Sequence, residues 1–147
     1  MNYAALKNEI MNDPLGRGYA GMNDAQVAVS LNTVDREIDE NVNLRDLIVY
    51  LLKNNKWLGI KSEAASNALG VQKECEAFMV IMDNPNFVDL DLTDAVVKTM
   101  LSNIKTAGLL DAADQAAILA MGKKAVSRAE ELGLPIVREG HVQSVRV

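Results

Sequence analysis

The sequence predicts an all-α protein, built as a compact bundle of about six to eight short helices with an extended C-terminal tail. Hydrophobic residues make up 49% of the chain but aromatic residues only 4%, so the apolar mass is mostly Ala, Leu, Val, Ile and Met, which favour helices. Apolar residues recur at spacings of three and four, only three prolines interrupt them, and almost no segment alternates as a strand would.

Capping residues and apolar stripes place the helices along the chain. A first helix over 3–11 ends at Asp13-Pro14, because the residue before proline is pushed out of the helical region. Asn23 and Gln26 form a capping box for a second helix over 24–32. The remaining predicted helices start near Asn43, Ser62, Val71, Thr93, Asp111 and Ala125.

Three helical stripes mark the expected core. Asn43 precedes the strongest one, whose apolar residues fall on a single face: Leu44, Leu47, Ile48, Leu51 and Leu52. A second stripe contains Cys75, Phe78, Met79 and Met82, and a third contains Val96, Val97, Met100, Leu101 and Ile104.

A single domain over 1–147 is expected, since this length gives one core and is short for two. Residues 1–32 are predicted to be a peripheral helical arm with a glycine-rich turn at 13–22. Residues 33–42 are charged and predicted to be an exposed loop. Residues 43–132 are predicted to be the helical core, and residues 133–147, which lack a clean helical period, the extended tail.

The net charge of −5 argues against a general nucleic-acid binder, because phosphate affinity comes mostly from Lys and Arg. The C-terminal end is nevertheless basic. It is either a solvated surface or a site that docks on an acidic protein surface or on packaged nucleic acid. Its five basic residues are Lys123, Lys124, Arg128, Arg138 and Arg146.

Neither a catalytic nor a metal site is predicted. Cys75 is the only cysteine and His141 the only histidine, which excludes an intramolecular disulfide and a multi-thiolate zinc site. The acidic cluster at 89–94 lacks the glycine and terminal Glu of a calcium loop. Cys75 lies on an apolar stripe and is interpreted as a core residue.

The stretch from Asp13 to Met22 contains G-x-G-x-x-G at Gly16, Gly18 and Gly21. A dinucleotide-binding motif requires a preceding strand and a surrounding β-α-β unit, and neither is predicted. We therefore expect a structural turn and no cofactor. Arg17 and Tyr19 are residue types enriched at interfaces, so a partner contact is the other interpretation.

The predicted partner interface joins this stretch to the C-terminal end and to the sole tryptophan. Trp57 is either a core residue or an interface anchor, and the C-terminal tail is expected to reach onto neighbouring subunits. The full set is Arg17, Tyr19, Trp57, Arg128, Arg138, His141, Val142 and Arg146.

Two ends of the chain resemble a family of small proteins encoded by tailed bacteriophages. The resemblance covers about a third of the chain, and its most specific part is the glycine-rich string. The matching N-terminal segments are Tyr3-Ala4-Ala5-Leu6-Lys7, Asp13 to Met22, Asp24-Ala25 and Leu31-Asn32. The matching C-terminal segments are Ser127 to Leu134, Val137-Arg138 and Gly140-His141-Val142.

The resemblance implies a virion-associated or assembly role, with particles assembled in the bacterial host cytoplasm. We expect a non-enzymatic, ring-forming connector or adaptor at the head–tail junction, whose partners are portal or tail components. The alternatives are a tail or tail-fibre-associated structural protein and a small regulatory module that binds one protein partner. No membrane-spanning run and no secretion signal are predicted.

Overall fold

A computed structural model describes all 147 residues, and the chain is mostly helical. The first half contains α1 (Tyr3–Asn12), a 3₁₀ turn (Tyr19–Gly21), α2 (Asp24–Asn32), β1 (Val34–Asp39), β2 (Val42–Asn43), α3 (Leu44–Lys53) and α4 (Trp57–Ser66). The second half contains α5 (Gln72–Asp83), β3 (Asp89–Leu90), α6 (Ala95–Thr106), α7 (Ala112–Met121), β4 (Lys123–Ser127), α8 (Arg128–Glu131) and α9 (Glu139–Arg146).

The chain divides into two compact units. Unit 1 consists of residues 1–38 and 125–147, and unit 2 consists of residues 39–124. Residues 1–32 are therefore part of the same compact unit as the C-terminal residues. This organisation differs from the predicted one, in which both segments were peripheral to a core at 43–132.

Unit 1 is built around a core that the N-terminal and C-terminal segments share. Leu6 of α1, Leu31 of α2 and Val142 of α9 are fully buried in it. The remaining buried members are Ile10, Tyr19, Val27, Ala28, Ala129, Leu134, Val137 and Val145. Because each segment supplies part of one apolar cluster, neither could bury its apolar face alone.

A side chain–backbone pair links α2 to the segment before α9. The Asn32 side-chain amide donates to the Val137 carbonyl oxygen at 2.7 Å, and the Val137 backbone N–H donates to Asn32 Oδ1 at 2.9 Å. The two bonds satisfy the backbone of Val137, which is buried, and fix its position against the end of α2.

Unit 2 has its own apolar core. Leu47 and Leu51 of α3, Ile60 of α4 and Ile104 of α6 are completely buried. The predicted stripes of α3, α5 and α6 supply most of this cluster, and Cys75 lies in it as expected. Leu52 and Val96 are exceptions, since they are 51% and 76% exposed although the spacing placed both on the predicted stripes.

The predicted mostly helical fold is confirmed, but the finer all-α prediction is corrected by two small sheets. β1 pairs with β4, and β2 pairs antiparallel with β3, with Val42 opposite Leu90. β1 occupies the charged segment that we expected to be a loop, and β4 replaces the start of the helix predicted from Ala125. Nine α-helices are present rather than six to eight.

The predicted extended tail is also corrected, because Glu139–Arg146 forms α9. Val142 and Val145 are buried in unit 1. Only these two apolar residues, three positions apart, carry the helical signal, so the period was too short to recognise. None of the helices is long and apolar enough to cross a membrane.

We expect Leu47→Ala to lower the free energy of unfolding by about 3 kcal/mol, because it leaves a cavity in a closed core. Leu52→Ala on the same helix is the matched control. Leu52 is half-exposed, so its truncation should change stability by only about 0.5 kcal/mol. Urea unfolding followed by far-ultraviolet circular dichroism measures both, and equal effects would contradict this description of α3.

Candidate protein-binding surfaces

A buried ion pair joins the N-terminal and C-terminal segments of unit 1. Arg128 Nε donates to Glu9 Oε1 at 2.9 Å, and Arg128 Nη2 donates to Glu9 Oε2 at 2.7 Å. The Glu9 side chain is 2% exposed and the Arg128 side chain 13%. This two-point geometry is the strongest that a guanidinium and a carboxylate can form.

The pair extends into a chain of alternating charges that reaches β1. Arg128 Nη1 donates to Glu131 Oε2 at 2.9 Å, and Arg36 donates to both carboxylate oxygens of Glu131 at 3.0 and 3.2 Å. The hydrogen bonds from Arg36, followed by those from Arg128, lower the pKa of Glu131 to about 2. The bonds to Glu9 raise the pKa of Arg128 above its usual value.

Tyr19 completes the buried end of this network. Its hydroxyl donates to Glu9 Oε1 at 3.4 Å, and the residue is fully buried. Burial, followed by the charge of Glu9, raises the pKa of Tyr19 to about 12. Tyr19 therefore has a structural role within unit 1 that explains its place in the glycine-rich stretch.

The glycine-rich stretch is a turn organised by Asp13. The Asp13 carboxylate accepts hydrogen bonds from the backbone N–H groups of Arg17 at 2.7 Å and Gly18 at 2.6 Å. Gly16 and Gly18 have φ of +65° and +81°, a region that favours glycine. Burial acts to raise the pKa of Asp13, but these backbone hydrogen bonds outweigh it and lower the pKa.

Two further arginines of the predicted interface bind within unit 1. Arg17 donates to the Ser30 carbonyl oxygen at 2.7 Å and pairs with Asp35 at 2.6 Å. Arg146 donates to the carbonyl oxygens of Met22 and Tyr19 and pairs with Asp24 at 2.8 Å. Both guanidinium groups are thus used to hold the turn and α2 in place.

The other predicted interface residues differ in exposure. Val142 is buried in the core of unit 1, and the partly buried His141 ring packs edge-on against Tyr3 with centroids 6.1 Å apart. Trp57 is partly buried in unit 2, where its ring lies 6.4 Å from that of Phe78. Arg138 is exposed and forms no ion pair. A contact between these residues and a partner stays a prediction.

Unit 2 also contains a buried polar cluster, centred on Asp114 of α7. Its carboxylate accepts from the Tyr50 hydroxyl at 2.9 Å and the Asp111 N–H at 2.9 Å, and it pairs with Lys56 at 3.0 Å. Burial acts to raise the pKa of Asp114, but these partners outweigh it and lower the pKa. The cluster ties α7 to α3 and to the residue preceding α4.

Cys75, the only cysteine, has no polar partner in the core. Burial, followed by the charges of Glu63 and Glu74, raises the pKa of the Cys75 thiol to about 11. A thiol is a nucleophile only as the thiolate, so this environment suits a packing role. No group of three or more His, Cys, Asp or Glu side chains is arranged to hold a metal ion.

Unit 2 has an apolar cleft that residues of α6 and α7 line in large part. This cleft, which we call the α6–α7 cleft, has a volume of about 320 Å³. Its buried walls are Leu92, Leu101, Leu110 and Ile118, and its rim consists of Lys98, Ser102, Gln115 and Leu119. This cleft could not be predicted from the sequence, because each of its leucines fits a core stripe equally well.

An exposed apolar turn lies on the same unit, between α5 and β3. Phe87 is 50% exposed and Val88 is 69% exposed, and Asp89 follows them. The Val88 carbonyl oxygen accepts from the Leu44 N–H at 3.1 Å, which fixes the turn at the start of α3. The sequence signal for this feature is two large apolar residues directly after Asn84-Pro85-Asn86.

Comparison of the chain with protein-family models, with curated proteins and with solved structures found no significant match.

We expect Arg128→Met to lower the free energy of unfolding by about 3–5 kcal/mol, because it leaves the Glu9 carboxylate buried without a partner. Glu9→Leu combined with Arg128→Met should recover most of this loss. Arg138→Met, at an exposed position, is the matched control and should cost about 0.5 kcal/mol or less. Urea unfolding measures all three, and a double variant as unstable as Arg128→Met would contradict the pairing.

The lowered pKa of Glu131 predicts a pH dependence with a definite sign. The ordinary value is 4.5 and the folded value about 2, so the stabilisation is fully present above pH 4.5 and is lost as the pH falls towards 2. Glu131→Gln should therefore reduce the difference between the free energies of unfolding at pH 6 and at pH 3. Glu139→Gln, at an exposed position, is the control and should leave that difference unchanged in urea unfolding.

Proposed function

We propose that this protein is a non-enzymatic structural subunit of a tailed-phage particle, and that within the particle it is a ring-forming connector or adaptor at the neck. The phage origin comes from the resemblance of the two chain ends. The binding role is inferred from a contrast: the buried polar side chains are paired within the chain, whereas several large apolar side chains remain exposed.

The observation that carries the binding role is the contrast between those two kinds of side chain. Every buried side-chain nitrogen or oxygen has a hydrogen-bond partner, and three of the predicted interface arginines are used inside unit 1. Large apolar side chains, in contrast, remain exposed beside grooves: Val49, Phe87 and Val88 line one, and Val96 lines another between α5 and α6. Grouped apolar exposure of this kind is typical of surfaces that bind other proteins.

The residues behind the resemblance also support a structural role. The segments that carry it lie at opposite ends of the sequence, and they fold together as unit 1, joined by Glu9 and Arg128. These residues therefore contribute to the fold of unit 1. A subunit repeated around a symmetry axis can use modest interfaces many times, which suits a protein with several small apolar grooves.

Mass spectrometry of purified particles of the phage that encodes this chain tests the proposal. We expect the protein in the particles, in a copy number that fits a ring, and gold-labelled antibody at the head–tail junction in electron micrographs. Label along the tail would instead favour the tail or tail-fibre alternative. Absence from the particles, with the protein present in infected cells, would overturn the structural role and favour the regulatory module.

A further inference from the structure

We infer that the α6–α7 cleft receives the turn of a second copy of this chain, by which we mean Phe87 and Val88 together with Asp89, the first residue of β3. This contact would be the repeated interface of the ring, so the inference rests on the proposed function for its biological setting. The contact itself is a property of the isolated protein and can be tested without phage particles.

The cleft has the walls and the rim of a socket for apolar side chains. Four buried residues form its interior, and Leu119 at the rim is 45% exposed. A volume of about 320 Å³ is at the lower end of the range for sites that enclose a compact apolar group. Filling it would remove from water apolar surface that the fold of unit 2 leaves accessible.

The rim of the cleft favours an occupant with a negative charge. Lys98 is the only charged residue that lines it, and Ser102 and Gln115 offer hydrogen-bond donors. Lys98 forms no ion pair within the chain, although its charge contributes to the lowered pKa of Asp91. The cation is therefore available to a carboxylate that approaches the mouth.

The turn supplies the complementary chemistry in three consecutive residues. Phe87 is half-exposed, Val88 is 69% exposed, and the exposed side chain of Asp89 forms no hydrogen bond or ion pair. An aromatic side chain inserted into an apolar pocket is a common anchor of protein interfaces. Asp89 would then reach the Lys98 ammonium group as Phe87 enters the cleft.

The turn and the cleft have no residue in common, so one subunit can use its turn on one neighbour and its cleft on another. Such head-to-tail contacts close into a ring when the rotation between subunits allows it. The same two patches can also pair reciprocally across a two-fold axis, but the proposed ring requires the head-to-tail arrangement.

Two single variants remove the two sides of the contact separately. Phe87→Ser removes the anchor, and Ser102→Trp blocks the mouth of the cleft from an exposed helix position. We expect the wild-type protein to self-associate beyond a dimer with rising concentration in analytical ultracentrifugation and native mass spectrometry. Each variant should weaken this association at least about tenfold, which is a typical effect of losing an interface anchor.

Mixing the two variants gives the decisive measurement. Phe87→Ser keeps an intact cleft and Ser102→Trp keeps an intact turn, so an equimolar mixture should form a one-to-one heterodimer and nothing larger. The charges can be tested in the same way: Asp89→Lys and Lys98→Glu should each weaken association, and a chain that carries both should recover it.

Matched controls separate this contact from general stickiness. Val96→Ser removes another highly exposed apolar side chain, and Lys105→Glu reverses another charge on α6; neither position belongs to the turn or the cleft. Both should associate like the wild type. Circular dichroism establishes that all the variants stay folded.

Several outcomes would overturn the inference. They are a wild-type protein that stays monomeric or stops at a dimer, variants of the turn and cleft that associate normally, and a mixture that fails to form the heterodimer. Each leaves the proposed function standing, because that is decided by the presence and location of the protein in particles. If the protein is absent from particles, the contact between copies is still decided by the association measurements above.

Discussion

The two-point ion pair between Glu9 and Arg128 is the interaction on which unit 1 depends. Two charges have been taken almost completely out of water, and an ion pair repays that desolvation only when its geometry is good and the remaining polar atoms are bonded. Tyr19 and Glu131 supply the additional partners. The other contacts of unit 1 must form around this arrangement, because neither charge can be buried alone.

This constraint acts on specificity more than on net stability. Apolar side chains at positions 9 and 128 would pack without any desolvation cost, but many arrangements of apolar side chains are nearly equivalent. A guanidinium that must meet one carboxylate admits a single arrangement. The glycine-rich turn is then fixed as well, since Tyr19 both reaches Glu9 and provides a carbonyl oxygen to Arg146.

Sequence reasoning located the elements whose signals are local. The capping box at Asn23 and the helix starts at Asn43 and Asp111 were predicted, and each is confirmed. β1 was missed because Val34–Asp39 is a charged run in which only Arg36 and Ile38 are partly buried, and its partner strand lies about 90 residues away. α9 was missed because its two buried valines become a helical face only against the core formed by α1 and α2.

The roles of the arginines could not be predicted, because Arg17, Arg128 and Arg146 bind groups that are distant in the sequence. The α6–α7 cleft depends on how two helices pack against each other, which no apolar stripe encodes.

The interruption of unit 1 by unit 2 has a consequence for the order of folding. Glu9 and Arg128 are separated by 119 positions, and residues 39–124 of the intervening chain form a unit with its own core. During synthesis, residues 1–38 emerge first but cannot complete their core until residues 125–147 have left the ribosome. All the residues of unit 2 are synthesised before that point. Once unit 2 is compact, the flexible connection between the two segments of unit 1 is shorter. Closing a loop costs entropy that grows with its length, by about 0.6 kcal/mol for each doubling. Folding of unit 2 therefore reduces the cost of bringing the two segments of unit 1 together, and α1 and α2 complete their packing only when α8 and α9 are available.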